Sequence, residues 1–163
     1  MSDDLLATVS SLLFDEAAAI DEKRWDDWLA LFCDDVEYWV PAWDSEYEQT
    51  NNPDTEISFI YYDNRSGLED RVFRLRLNQS SASIPLPRTC HLVTNIRLSL
   101  LSDGDCEVKA NWQAHSYRLE RSTQFYGHYG YLLRPNGSGW LIARKKITVL
   151  NDVIPTVLDI YSI

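Results

Sequence analysis

Several features that would announce a function are missing from this sequence. No stretch approaches the roughly eighteen apolar residues that a membrane span requires, so no membrane role is expected. The opening "MSDDLLATVS" has acids where a secretory signal has bases, which makes the cytoplasm the expected compartment. Cys33, Cys90 and Cys106 are an odd number without a C-x-x-C, suited to buried or half-buried thiols in a reducing environment. His91, His115 and His128 stand at least thirteen residues apart, with no H-x-x-x-H or H-x-x-E-H spacing, so nothing local builds a metal site. Basic charge is short as well: 15 Lys and Arg against 25 Asp and Glu leave a net charge of −10. Such a chain repels phosphate backbones and anionic membranes unless a local patch overrides the field. The one candidate patch, Arg65, Arg71, Arg74 and Arg76, is interleaved with Asp63, Glu69 and Asp70, and Gly67 sits in no phosphate-binding loop. Nucleic acid is not an expected partner.

What is present reads as a globular chain. At 163 residues, 45% hydrophobic and 25% charged, it can bury a sizeable core and is expected to form one domain over 1–163. Leu5, Leu6, Val9, Leu12, Leu13 and Ala17 recur at helical spacing, with Ser2 placed to cap and Asp3 and Asp4 at the positive helix end. In "DEKRWDDWLALF" Asp21 can cap a second helix, in which Trp25, Trp28, Leu29 and Phe32 form one stripe. Two tryptophans there fit anchoring to a sheet better than stacking on a ligand. "VEYWVPAW" (36–43) alternates as a strand does, and Pro41 suggests an edge or a bulge. The next segment, "DSEYEQTNNPDTE" (44–56), carries five acids and no base, a long loop built on turn chemistry.

"YYDNRSGLEDRVFRLR" (61–76) packs seven formal charges into sixteen positions, with four of the chain's eleven arginines. Ser66-x-x-Glu69 resembles a capping box, Leu68, Val72 and Leu75 share a helical face, and Asp70 to Arg74 is a favourable i,i+4 pair. The alternation of "VFRLRL" predicts a short helix giving way to extended chain. Two readings stay open: a solvated, salt-bridged helix, or a surface packed on another subunit, for which arginine is better suited than lysine.

From about residue 89 the pattern is β. "TCHLVTNIRLSLL" breaks at Ser102-Asp103-Gly104-Asp105, "CEVKANWQAHSYRLER" returns, and "TQFYGHYGYLLRP" turns at Asn136-Gly137-Ser138-Gly139 into "WLIARKKITVL". The predicted class is α+β, a curved antiparallel sheet with the N-terminal helices on one face. The glycines of "YGHYGY" could mark bends or bulges. The apolar "NDVIPTVLDIYSI" is expected either to add a strand or to dock on a neighbour.

Taken in order, these features resemble the small (β) subunit of aromatic-ring-hydroxylating dioxygenases of the benzoate and anthranilate 1,2-dioxygenase type. "RWDDWLALF", "VPAWD", "EISFIYYDNRSGLEDRVFRLR", "PLPRTCHLVTN" and "NDVIPTVLDIYSI" carry the likeness, and "PLPRTCHLV" and "FYGHYGYLLRP" look nearer the anthranilate type. The resemblance implies the cone-shaped, cystatin-like fold of nuclear transport factor and scytalone dehydratase. It implies a heterohexamer of three large (α) and three small subunits, the small ones meeting as a trimer, that cis-dihydroxylates an aromatic carboxylate in aromatic catabolism. The large subunit would hold a Rieske 2Fe-2S cluster and a mononuclear Fe(II), with NADH acting through a separate reductase. The small subunit would contribute no catalytic residue, cofactor or metal. A Rieske centre needs paired cysteines and histidines, and oxygen activation needs two histidines and a carboxylate; neither pattern occurs in this sequence. On this footing Trp43, Tyr61, Tyr62, Asp63, Arg65, Arg71, Arg74, Arg76 and Arg88 are the expected interface residues.

The competing reading is a stand-alone dehydratase or isomerase that uses the cone cavity, or a small-molecule-binding module. It requires a general base deep in an apolar pocket, with His91 or His115 meeting a carboxylate or tyrosine. A lone strand histidine is more often simply hydrogen-bonded, and fold alone does not license an activity.

Overall fold

The apolar spacing of the first twenty residues becomes helix α1 (Asp3–Asp21), which buries Val9, Leu13, Ala19 and Ile20 and leaves Leu6 exposed. In this computed structural model residues 3–77, 84–151, 153–155 and 157–163 are described, so Ser2, the expected cap, lies outside them. Helix α2 (Trp25–Leu29) follows Arg24 with no side-chain cap. Asp21 does not cap it because its carboxylate is engaged elsewhere: it accepts from the Thr89 hydroxyl and the His91 backbone N–H, both at 2.8 Å. Trp25 and Trp28 are buried, and Trp28 meets Phe32 edge-on with ring centroids 4.8 Å apart, the anchoring contact the stripe predicts.

Strand β1 (Phe32–Pro41) pairs antiparallel with β2 (Ser58–Tyr62) and parallel with β6 (Gly139–Val149). With β3 (Arg88–Leu100), β4 (Cys106–Arg118) and β5 (Arg121–Asn136) they form one curved sheet in the order β2-β1-β6-β5-β4-β3. The sheet is therefore mixed rather than wholly antiparallel. The expected antiparallel meander is there from β3 to β6, and β1 closes its open side, continuing the inner apolar face with Val36, Tyr38 and Val40. Pro41 faces a register shift whose extra residue, Phe59, is on β2, and it ends a strand that is interior to the sheet; at the strand's end a missing N–H donor is tolerated.

Two hairpin turns fall where glycine makes left-handed backbone inexpensive, at Gly104 (φ 96°) and Gly137 (φ 60°). The third, Leu119–Glu120, is left-handed at both residues (φ 49° and 63°) without glycine or asparagine to signal it. The glycines of "YGHYGY" do not sit at the register shift between β5 and β6, which falls at Leu132 and Leu133 with Ala143 of β6 as the extra residue. Gly127 instead permits close approach: a Cβ there would lie 1.9 Å from the Thr148 carbonyl oxygen.

Helix α3 (Arg65–Arg76) is capped by Asn64, whose side chain accepts from the Ser66 N–H at 2.9 Å, in place of the expected Ser66–Glu69 box. It stays helical through Arg76 and buries Leu68, Val72 and Leu75. Among its described residues the tail adds no strand to the sheet. It folds back as a 3-10 turn (Ile160–Ser162) capped by Asp159, with Ile160 and Ile163 in the chain's own core. Cys33 and Cys106 are buried, but Cys90 is exposed on β3, contrary to expectation.

Candidate functional site

The segment singled out in the sequence lies across β1 and the tail, and most of its charge is answered within the chain. Gly67 lets α3 lie on Tyr62, since a Cβ would fall 2.3 Å from the Tyr62 Cδ1. Tyr62 in turn packs toward Tyr38, with ring centroids 6.4 Å apart. Arg65 is a hub: it bonds Glu69 and Asp34 at 2.9 Å each and donates to the Phe32 carbonyl at 3.3 Å. Arg71 makes a two-pronged pair with Asp159, of which the Nε–Oδ1 arm is 2.8 Å. Asp159 is only 2% exposed, so this pair fixes the tail to α3. Arg76 reaches Asp26 at 2.9 Å. Arg74 is exposed, and among the described residues neither it nor Asp70 takes part in an ion pair, so the anticipated i,i+4 bridge is not formed.

The remaining expected interface residues are placed as follows. Asp63 is exposed and accepts from the Asn64 amide at 2.8 Å. Tyr61 donates to Glu37 at 3.3 Å; partial burial and then the Glu37 charge push its phenol up. Trp43 donates its indole N–H to the Val149 carbonyl at 2.7 Å, pinning the acidic loop to β6. Beside it runs a groove of about 580 Å³ lined by Asp44, Glu56, Ile57 and Phe59. Arg88 lies away from this region, stacked 4.9 Å above the Tyr117 ring.

The cone interior holds charged groups that sequence reasoning did not connect. Lys145 on β6 meets Glu16 on α1 at 2.6 Å, with both side chains 4% exposed. Tyr131 donates to the same carboxylate at 2.8 Å, and the Lys145 ammonium sits 4.3 Å from the Tyr129 ring centroid. Burial pulls Lys145 down against the pull of Glu16, and burial followed by the Glu16 charge pushes Tyr38 and Tyr131 well up, so both phenols stay neutral; Tyr131 donates to Glu16, whereas the buried Tyr38 hydroxyl has no hydrogen-bond partner among the described residues.

Nearby, His91 Nδ1 lies 2.6 Å from Asp21. Burial raises the Asp21 carboxyl, but hydrogen bonds from the His91 ring and backbone, with Thr89 adding to them, outweigh it and hold the group below the usual range. An Asp–His pair therefore does reach the interior, as the enzyme reading requires. The space beside it, lined by Glu16, His91, Tyr129, Lys145 and Ile163, is about 10 Å³. That admits at most a water, where small-molecule sites run to about 300–1,000 Å³. A larger hollow of about 400 Å³ opens between the Leu119–Glu120 turn and the tail. Among the described residues its lining offers Arg118, Arg121 and hydroxyls but no carboxylate, histidine or cysteine to act as a base.

The signal that could have found the interior pair was Glu16 on the apolar face of α1, since a carboxylate at a core position needs a cation. Nothing local pointed to Lys145, which is 129 residues away. Among the described residues no group of three or more His, Cys, Asp and Glu side chains could hold a metal ion. No helix among them is long and apolar enough to cross a membrane.

Comparison with known proteins agrees with this geometry. The chain is 41% identical over 155 residues to the toluate 1,2-dioxygenase β subunit of Pseudomonas putida, covering 95% of this chain and 96% of that one. It is 39% identical over 163 residues to the anthranilate 1,2-dioxygenase small subunit of Acinetobacter baylyi, covering all of both. The two identities do not separate the types. The crystal structure of the benzoate 1,2-dioxygenase β subunit of Burkholderia mallei superposes with a TM-score of 0.81 at 35% identity over 97% of each chain. A Novosphingobium aromaticivorans protein assigned as a scytalone dehydratase shares the fold alone, with a TM-score of 0.68 and 16% identity over 95% and 92% of the two chains. The model of the ring-hydroxylating β subunit matches residues 15–156, and the chain belongs to that family of dioxygenase small subunits.

Proposed function

We propose that this chain, as one domain over 1–163, is the small subunit of a cytoplasmic terminal oxygenase that cis-dihydroxylates an aromatic carboxylate. Three copies would assemble with three large subunits. The chemistry belongs to the companion: a Rieske 2Fe-2S cluster and a mononuclear Fe(II) in the large subunit, supplied with electrons from NADH by a separate reductase. Among the described residues no cluster of His, Cys, Asp and Glu side chains fits either iron group. The observation that carries this reading is the closed packing around the Asp21–His91 pair. Relatives named as dioxygenase small subunits match the chain over nearly its whole length, and the Asp21–His91 pair faces room for no organic substrate.

The chain's part is to hold shape and present surfaces. Trp43 and the acidic loop form a proposed contact, one that basic groups on a partner would complement. Tyr61, Tyr62, Asp63, Arg65, Arg74, Arg76 and Arg88 are the further contact residues proposed, and Arg71 supports α3 by holding the tail. Co-expression with the large subunit, light scattering of the purified complex and iron analysis of each separated chain test the proposal. A stable complex with iron in the large chain is expected. Stoichiometric iron in this chain alone, or turnover of an aromatic acid by it alone, would overturn the reading.

A further inference from the structure

The inner face of the sheet changes character at one end. Along β4 it buries Val108, Ala110, Trp112 and Ala114, and along β5 Phe125, Tyr129, Tyr131 and Leu133. Two residues farther toward the hairpin turn, the same face carries Ser116 and Thr123, and two beyond them Arg118 and Arg121. The members of each couple stand directly opposite one another across the strands. The hydroxyls of Ser116 and Thr123 answer each other at 2.6 Å. Two guanidinium groups cannot do so, and like charges opposed on one face of a hairpin are destabilising.

These four side chains line the hollow of about 400 Å³ between the Leu119–Glu120 turn and the tail. Phe125, 3% exposed, closes it off from the packed core, and Pro87, Pro155 and Tyr161 wall it on other sides. In a chain where acids outnumber bases 25 to 15, no Asp or Glu among the described residues lines it. Glu120 lies in the turn itself, and Asp159 on the tail is held by Arg71. Arg118 is half-buried and donates to the Ile84 carbonyl at 2.6 Å, which steadies it. Arg121 is exposed and takes part in no ion pair among the described residues.

We infer that this hollow is a binding site for a small organic carboxylate. An anion between Arg118 and Arg121 turns their repulsion into charge-assisted hydrogen bonds, and the planar guanidinium fork matches a carboxylate. The proline and aromatic walls select a ligand with an apolar body over a bare inorganic anion, and the volume falls within the range of small-molecule sites, about 300–1,000 Å³. With no base among the described lining residues, the site holds its ligand without turning it over. Because the β4–β5 hairpin forms one wall and the tail another, an occupant ties the two together. The inference is independent of the assembly reading, which gives this chain no ligand, and its test needs no large subunit.

The probe is benzoate, titrated into the full-length chain and followed by calorimetry and thermal melting. Benzamide and inorganic phosphate at matched ionic strength are the controls. Benzoate is expected to bind at one site and to raise the melting temperature as it saturates. Benzamide, which lacks the charge, and phosphate, which lacks the apolar body, are expected to do neither. Arg121→Gln should weaken benzoate binding about tenfold or more. It should leave the unliganded chain at least as stable as the parent, because one of two opposed charges is gone. A merely structural arginine would show the reverse, a lower melting temperature and unchanged affinity. Arg121→Glu sets a carboxylate opposite Arg118, and is expected to raise the unliganded melting temperature and abolish the benzoate response. The inference is overturned by a parent chain that does not bind benzoate, by equal binding of benzamide or phosphate, or by undiminished binding in either variant.

Discussion

Two ion pairs in this molecule have the same length and different surroundings. Lys145 and Glu16 are 2.6 Å apart, as are Arg24 and Glu22, yet the first pair is 4% exposed on each side and the second 43% and 61%. In water such a pair gains little over its solvated halves. Inside the cone, desolvation and attraction are both large and nearly cancel, so the pair adds modest stability as a pair but cannot lose one member cheaply. Distance alone thus ranks these contacts wrongly; the medium decides. The Arg71–Asp159 clamp lies between the two, with one side buried and the other 18% exposed.

The sharpest way to break this ranking is Lys145→Met, which strands the Glu16 carboxylate among apolar groups. It should cost about 3–5 kcal/mol, read by chemical denaturation, while adding Glu16→Leu should recover most of the loss. Were Lys145→Met as mild as Arg24→Ala, which should leave the melting temperature unchanged, the contrast would be void. Next in size is Arg71→Glu, which sets an acid against buried Asp159. A loss of about 2–3 kcal/mol is expected, together with faster proteolysis of the freed tail and weaker assembly; a tail as protected as in the parent chain would refute the clamp.

The smallest effect is one of pH. The Asp21 carboxyl lies below its ordinary value, so its contribution is present above the unfolded-state pKa of about 4 and is lost as pH falls through the lower folded value. Asp21→Asn should therefore lower stability at neutral pH and flatten its decline below about pH 4. An unaltered acid profile from pH 5 downward would show that His91 and Thr89 do not hold the ionised form.

Local structure was largely legible in the chain and long-range partnership was not. The α1 stripe, the turns at Gly104 and Gly137, and the buried face of α3 each follow from residues within a few positions of one another. Leu119–Glu120 escaped because its left-handed turn is imposed by strand pairing on side chains that do not prefer it. The parallel β1–β6 pairing escaped because nothing between residues 41 and 139 records it. The same holds for the charges: the density of "YYDNRSGLEDRVFRLR" was plain, but its answering groups were Asp34, Asp26 and Asp159, set beside it only by the topology.

The residues wedged into the cup have a mechanical consequence. Close-packed interiors are barely compressible and hand strain on instead of absorbing it. A hollow member of this fold can breathe around a guest, whereas here Ile160 and Ile163 turn the cup into a stiff spacer. Whatever surfaces are fastened to it will keep their angle.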